Sequence, residues 1–260
     1  MPTNAPAAGQ ALALLTLLAR HAEPMPAAAV ARDLALPRSS VYHLLAVLRE
    51  QGFVVHLPEE RRYGLGVAAF ELGSAYTRQA PLQRVARPVL HRLVDASSHS
   101  AHLAVLHGRD VLYVIEDRAT RRPPLVTDVG VRLPAQLTAS GLAMLAALPR
   151  QQVRALFPSR DAFVQRHERA ATGSTGPRSL PELRSRLLEV RQRGFAVENG
   201  SVTPGFASVA AAAMDHNGHP VAGIAVTYPA SELGAGEVEV LADLVTGSAA
   251  DLTRRMRGRR

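Results

Sequence analysis

The first fifty residues carry apolar positions at helical spacing and predict three helices. A run rich in alanine and leucine, 10–20, favours a helix, and two prolines within 21–26 interrupt it. A second helix is predicted over 26–35, with proline at its first position. A third is predicted over 38–51, before Gly52, a residue typical of helix C-termini. Its apolar stripe recurs every three or four residues, at Val41, Leu44, Leu45 and Leu48.

The periodicity changes from helical to alternating after the third helix. Residues 53–56 and 61–65 are typical of two strands, and the proline and acidic residues between them are typical of a turn. Three helices followed by a hairpin are the order of a winged helix-turn-helix domain, which we place at 1–65. A further helical segment, 66–80, is predicted to link this domain to the rest of the chain.

Residues 81–260 mix helical and strand patterns and are predicted to form a separate domain that begins at Pro81. The predicted helices cover 82–96, 138–148, 180–193 and 237–256. The predicted strands cover 101–106, 111–116, 209–214 and 221–228. A polar stretch, 157–181, is predicted to be a surface loop. Helices beside a hairpin-rich antiparallel sheet indicate an α+β fold.

The face of the third helix opposite its apolar stripe is polar at the N-terminal end. It carries Arg38, Ser39, Ser40, Tyr42 and His43. Arginine can reach guanine or phosphate, hydroxyls can bond phosphate oxygens and histidine can do either, so this face suits a DNA major groove. Arg61 and Arg62 on the hairpin are predicted to contact the flanking backbone or minor groove. A polar helix face that is only solvated is the alternative interpretation.

Composition excludes several kinds of chemistry but does not itself support DNA binding. The 260 residues contain no cysteine and no lysine, which excludes disulfides, thiolate metal sites, cysteine nucleophiles and Schiff-base chemistry. The net charge is +8, yet 1–80 holds seven arginines against six acidic residues, a net of +1. Five arginines fall within the last seven residues, so the bulk charge lies away from the predicted DNA-binding segment.

Neither an export signal nor a membrane segment is predicted. Residues 1–9 are polar and contain prolines, without a basic stretch followed by an apolar run. No stretch of the sequence has the length and apolar character of a membrane span. We therefore expect a cytoplasmic protein with no membrane partner.

Enzyme-like patterns in the sequence are incomplete. A G-x-G-x-x-A pattern at 64–69 follows a hairpin strand, and Gln83 and Arg84 stand where a dinucleotide site needs an acid. The histidines within 99–107 and 215–219 match no metal-ligand spacing, and we expect them to be surface or half-buried residues. Gly-x-Ser-x-Gly is absent. No enzyme activity, metal or cofactor is predicted, while a winged helix that binds protein or RNA stays open.

A family resemblance adds weight to the DNA-binding interpretation. The segment 34–53, LALPRSSVYHLLAVLREQGF, followed by RYGLG at 62–66, closely resembles the IclR family of bacterial transcription regulators. Further matching motifs follow in the family's order, at 133–134, 138–141, 143–146, 193–197, 204–205 and 208–215. The resemblance implies a winged helix-turn-helix, a linker helix and a GAF-like effector-binding domain at 81–260. It also implies a homodimer or a dimer of dimers (a tetramer) on a palindromic operator in double-stranded DNA, often as a repressor that a small metabolite modulates.

The same resemblance implies where a small-molecule effector binds. In relatives, a small organic acid is held by backbone amides at the start of the helix that Thr138 opens here, and the matching residues are Ala139 and Ser140. Free N–H groups and the helix dipole favour a carboxylate at such a position. An acid, a cysteine and two strand hydroxyls of relatives align with Glu198, Ser208, Ala225 and Thr227. Ordinary packing, with Thr138 as a helix cap, is the alternative interpretation.

The aligned pocket departs from the family pattern at several positions. Glu198 replaces the usual aspartate, Ser208 a cysteine and Ala225 a serine. Leu142 replaces a frequent lysine, and glycine and serine at 200–201 replace a common acidic pair. The pocket loses a polar group and gains an apolar one. We therefore hypothesise an effector other than a two- or three-carbon oxoacid, such as a larger or aromatic acid or an amide.

Overall fold

The structure is a computed structural model that describes residues 5–79, 81–120, 122, 125, 127–165 and 176–257. Its contacts divide the chain into two compact units, Met1–Ala80 and Pro81–Arg260. Each unit mixes helices with an antiparallel sheet and has its own buried apolar core. The predicted α+β fold class is confirmed.

The first unit packs three helices against a small antiparallel sheet and ends in a fourth helix. Its helices are α1 (Pro6–Arg20), α2 (Ala27–Asp33), α3 (Arg38–Glu50) and α4 (Val67–Gln79). Its strands are β1 (Met25–Pro26), β2 (Val54–Leu57) and β3 (Arg62–Leu65), and they pair in the order β1-β3-β2. This is the predicted winged helix-turn-helix arrangement with one strand more than the predicted hairpin.

The apolar stripe of α3 forms part of the core of this unit. Val41, Leu45 and Leu48 are buried, as their spacing predicts. Pro26 was predicted to open α2, but it is extended (φ −71°, ψ 145°), pairs with Arg62 and precedes the helix. Because proline has no N–H, it is tolerated in an edge strand such as β1.

The second unit has a six-stranded antiparallel sheet with helices on both faces. Its strands are β4 (Ser100–His107), β5 (Asp110–Asp117), β6 (Arg132–Pro134), β7 (Ala196–Asn199), β8 (Phe206–Met214) and β9 (Pro220–Pro229). Their order in the sheet is β6-β5-β4-β9-β8-β7. One core is formed with α5 (Pro81–Ser97) and α9 (Ala235–Arg257), and the other with α6 (Ala139–Ala147), α7 (Arg150–Leu156) and α8 (Leu180–Arg193).

The stretch 157–181 differs from the predicted surface loop where the structure describes it. Phe157 and Phe163 are buried in the core beneath α6 and α8, with ring centroids 5.0 Å apart. A short 3₁₀ turn, Arg160–Ala162, joins them. Two aromatic side chains therefore anchor the beginning of this segment, and residues 166–175 lie outside the described part. In the described residues, no helix is both long and apolar enough to cross a membrane.

Candidate functional site

The N-terminus of α6 is built by a tight turn and a helix cap. Thr138 is the cap: its Oγ1 accepts a hydrogen bond from Gly141 N at 2.9 Å, and its carbonyl accepts one from Leu142 N. The amides of Ala139 and Ser140 precede these bonds and belong to the first turn, where a helix lacks internal acceptors. This end of α6 therefore has the chemistry of an anion site.

Two glycines let this helix end lie against its neighbours. A Cβ on Gly141 would overlap the carbonyl oxygen of Ala135 in the preceding 3₁₀ turn. A Cβ on Gly223 of β9 would lie only 2.9 Å from Ser140 Cβ. A side chain at Gly141 would therefore displace α6 from the preceding turn, and one at Gly223 would displace α6 from the sheet.

The sheet places two rows of side chains beneath the α6 N-terminus. In one row Glu198, Ser208 and Thr227 are direct cross-strand partners on β7, β8 and β9. In the next row Ala225 of β9 pairs with His102 of β4. Because Ala225 and Thr227 are two residues apart on one strand, both rows point to the same face.

These elements line one cavity that is partly open to solvent. All seven predicted effector residues line it: Thr138, Ala139, Ser140, Glu198, Ser208, Ala225 and Thr227. Seven further lining residues were not predicted: His102, Tyr113, Leu125, Thr127, Val202, Thr203 and Phe206. Segments far apart in sequence thus line one cavity whose wall is partly polar and partly apolar.

Glu198 is the only acidic residue among the described lining residues, and it is buried. Its carboxylate accepts hydrogen bonds from Ser208 Oγ at 3.2 Å and from Ser201 N at 3.1 Å. Since Ser208 donates to Glu198, Thr227 Oγ1 donates to Ser208 across 2.9 Å. Burial raises the pKa of Glu198 to about 7, against the opposing effect of these hydrogen bonds. Glu198 therefore changes its protonation near neutral pH.

His102 is fully buried in the row next to that of Glu198, on the same face of the sheet. Burial, followed by the nearby charge of Arg118, lowers the pKa of His102 to about 4, so the imidazole is neutral at pH 7. Its Nε2 lies 2.8 Å from Thr127 Oγ1. The expectation of surface or half-buried histidines was wrong for His99, just before β4, and for His102 within β4, which are both buried.

Tyr113 of β5 pairs with Ala104 of β4 and also lines the cavity. Its ring meets the His102 ring edge-on, with centroids 5.9 Å apart. Burial and the charge of Glu198 raise the pKa of Tyr113, while its proximity to the hydroxyls of Thr138 and Ser140 has the opposite effect. The phenol is therefore neutral, and its hydroxyl lies close to the α6 cap.

The polar face predicted on α3 is present in the first unit. Arg38, Ser39, Tyr42 and His43 are exposed and Ser40 is half-buried. Pro37 precedes the helix and offers no side-chain cap to its first amides. The first turn of α3 therefore combines free N–H groups with exposed polar side chains.

The two arginines of the hairpin have different surroundings. Arg61 is exposed at the turn, with φ of +53°. Arg62 is half-buried, and its guanidinium donates to Pro24 O at 3.1 Å and to Glu23 Oε2 at 3.4 Å. Arg61 is thus the more available cation, whereas Arg62 ties β3 to the segment before α2.

The structure gives no support to the enzyme-like patterns. The G-x-G-x-x-A pattern spans β3 and the start of α4, and β3 is the centre of an antiparallel sheet rather than part of a βαβ unit. Across the described ranges, no group of three or more His, Asp or Glu side chains could hold a metal ion.

Comparison with known families matches both units. The family described as "Bacterial transcriptional regulator IclR C-terminal" matches residues 74–254, and the IclR helix-turn-helix domain matches residues 7–58. The chain belongs to the IclR family. It is therefore a transcription regulator with an N-terminal helix-turn-helix DNA-binding domain and a C-terminal effector-binding domain, and not an enzyme.

Individual IclR-family relatives extend over most of the chain. The acetate operon repressor of Salmonella typhimurium is 26% identical over 96% of this chain and 92% of its own length. The HTH-type transcriptional regulator BhcR of Paracoccus denitrificans is 29% identical over 86% of this chain and 78% of its own length. A crystal structure of an IclR transcriptional regulator from Alicyclobacillus acidocaldarius has a TM-score of 0.81 at 23% identity, covering 96% and 98% of the two chains. This last likeness shows the shared fold.

Proposed function

We propose that this IclR-family regulator is a repressor that binds a palindromic operator and is controlled by a small organic acid. Relatives such as the acetate operon repressor, which matches along 96% of this chain, support the sign of regulation. The observation that carries the control by an acid is the convergence, on one cavity at the α6 N-terminus, of the seven residues that the family resemblance implies. A helix N-terminus stabilises a carboxylate through its free amides and dipole.

On the DNA side, we propose that α3 enters the major groove by its N-terminal turns. Its exposed Arg38 and His43 would reach base edges or phosphate, and Ser39, Ser40 and Tyr42 would bond phosphate oxygens. Arg61 on the hairpin would contact the flanking backbone or minor groove. Arg62 would support the hairpin through Pro24 and Glu23 more than it touches DNA.

On the effector side, we propose that the amides of Ala139 and Ser140 hold the carboxylate. Thr138, Glu198, Ser208 and Thr227 would form a polar wall, and Ala225 would contact the apolar part of the effector. Leu125, Val202 and Phe206 add apolar surface, which supports an acid larger than a two- or three-carbon oxoacid. The effector alters DNA binding only if it binds the DNA-competent and DNA-incompetent states unequally.

The test of this function is to sequence genomic fragments captured by the purified chain at physiological salt. A short inverted repeat is expected among them, and titration of carboxylic acids against that repeat should change its affinity for the protein. Failure to enrich any motif, both alone and with a broad panel of acids, would contradict the proposal and favour a winged helix that binds protein or RNA. Specific binding should weaken steeply as salt rises.

We also propose that the chain assembles as a homodimer or a dimer of dimers, and exposed apolar side chains on α4 support such an assembly. Val67 and Phe70 are three residues apart on one helix face and are 69% and 74% exposed. Apolar side chains grouped on a surface commonly mark an interface with another chain.

Phe70→Asp is expected to shift the protein from dimer to monomer, because a charge would replace the largest apolar contact of that face. Light scattering coupled to size exclusion measures the mass directly. Glu71→Ala, at the adjacent exposed position, is the control and should remain dimeric. An unchanged mass for Phe70→Asp would exclude this face from the dimer interface.

A further inference from the structure

The cavity contains buried polar atoms whose hydrogen-bonding capacity is not used within the protein. Among the described residues, neither His102 Nδ1 nor Ser140 Oγ has a hydrogen-bond partner of good geometry. The side chain of His102 is completely buried, and Ser140 is 1% exposed. Leaving a buried polar group unpaired is destabilising, so such atoms in a cavity indicate a missing partner.

The environment of His102 fixes the ring in place and keeps it neutral. Thr127 Oγ1 bonds Nε2 at 2.8 Å, and Tyr113 packs edge-on against the ring. Burial lowers the pKa of His102 to about 4, so the ring is neutral at pH 7. The imidazole is thus a preorganised neutral hydrogen-bonding group rather than a charge partner for the carboxylate.

The partner that His102 lacks must suit either tautomer of the ring. If Thr127 donates to Nε2, then Nδ1 carries the hydrogen and needs an acceptor. If Nε2 donates to Thr127, then Nδ1 has a free lone pair and needs a donor. A hydroxyl group can donate or accept, so it satisfies both cases.

We propose that His102 is a specificity-determining residue that binds a hydroxyl group of the effector, so that the cavity selects a hydroxylated monocarboxylic acid over its deoxy analogue. This inference rests on the proposed function, in which the α6 N-terminus holds the carboxylate. His102 lies on β4, next to Ala225 in the sheet, and so stands beside the apolar part of the cavity. A site built to bond a hydroxyl rejects the analogue that lacks it, because its own polar group stays unpaired.

The test measures matched pairs of acids by calorimetry with the full chain. The pairs are 4-hydroxybenzoate with benzoate, 3-hydroxybenzoate with benzoate, and 3-hydroxybutyrate with butyrate. The wild type should bind the hydroxy acid of at least one pair about tenfold tighter or more. His102→Phe keeps a planar ring but removes both nitrogens, and it should bring the two members of that pair to equal affinity.

Two further variants separate this role from a structural one. Thr127→Val removes the hydroxyl that orients the His102 ring and should reduce the preference for the hydroxy acid. This variant provides the test if His102→Phe is too unstable to measure. His216→Phe, at an exposed turn, should leave the preference unchanged. A purely structural role for His102 would weaken both members of a pair equally.

The outcomes distinguish this inference from the function on which it rests. Two results would overturn the role of His102 and leave the proposed acid site intact. In the first, the wild type binds acids without preferring the hydroxy member of any pair. In the second, His102→Phe and Thr127→Val keep that preference. If the wild type binds no acid of the panel, the proposed acid site fails, and the role of His102 falls with it.

Discussion

Glu198→Gln is expected to stabilise the second unit by about 3 kcal/mol above pH 7 and to change its stability little below pH 4.5. Burial raises the pKa of Glu198 from an ordinary 4.5 to about 7. Between these values the folded protein keeps a proton that the unfolded chain releases. Stability therefore falls as pH rises from 4.5 to 7, and the loss is complete above the pKa of the folded state.

Glutamine mimics the protonated form of Glu198 and removes this loss. Its carbonyl can accept from Ser201 N, and its amide can donate to Ser208 Oγ, which preserves the two contacts of the carboxyl group. The variant and the wild type should therefore agree at low pH and diverge as Glu198 ionises in the wild type.

The wild type alone does not report this effect, because His102 has the opposite pH dependence. Its pKa in the folded protein is about 4, below the ordinary 6.5, so its contribution to stability increases between pH 4 and 6.5. The quantity to measure is the difference in unfolding free energy between Glu198→Gln and the wild type, from urea titrations followed by circular dichroism at pH 4.5 to 8.

Glu189→Gln on the exposed surface of α8 is the matched control, and its difference from the wild type should stay near zero throughout. Equal stability of Glu198→Gln and the wild type at pH 8 would show that the carboxylate is well solvated in the cavity. The proposed polar wall would then be open to water, and an effector carboxylate would face an ionised Glu198.

Local patterns in the sequence were enough to predict the long elements. The helix α3 begins at Arg38 as predicted, because its apolar stripe and Gly52 mark both its face and its end. Helix α8 has the predicted bounds, because Ser179 caps its start and Gly194 ends it in the left-handed conformation. Such features act within one helix and are visible in the chain itself.

Short strands were not predictable in the same way. β1 has two residues and β6 three, so neither is long enough to show an alternating pattern. β7 has four residues, as do the predicted strands β2 and β3, and was also missed. Their pairing with β3, β5 and β8 depends on where the rest of the sheet lies. Strand length and burial in these cases are set by tertiary packing, which a single sequence does not reveal.

The cavity illustrates the same limit for site residues. Thr138 and Glu198 were found through motif resemblance, whereas His102, Tyr113 and Thr127 belong to no motif. His102 and Tyr113 reach the cavity because β4 pairs with β9 and β5 pairs with β4, an order that skips several elements of the chain. Thr127 reaches it from the segment between β5 and β6. The one indication in the sequence was that His102 lies within an apolar strand. Spacing alone could not distinguish a buried histidine there from a histidine on the surface.

His43→Ala is expected to lower affinity for the operator about 10- to 100-fold while leaving non-specific DNA binding nearly unchanged. His43 is exposed on the face of α3 that we propose lies in the major groove, where a lost base contact costs about 1–3 kcal/mol. Arg61→Ala should instead weaken binding to operator and random duplexes by similar factors, because a phosphate contact is independent of sequence.

Fluorescence anisotropy with the operator, a one-base mismatch and a random duplex separates these two roles. For His43→Ala the penalty of the mismatch should shrink, and for Arg61→Ala the slope of log affinity against log salt should fall by about one. Arg49→Ala, at the C-terminal end of the same helix, is the control and should change little. Equal losses on operator and random DNA for His43→Ala would contradict base recognition by this face, and α3 would then position the protein on the backbone without selecting sequence.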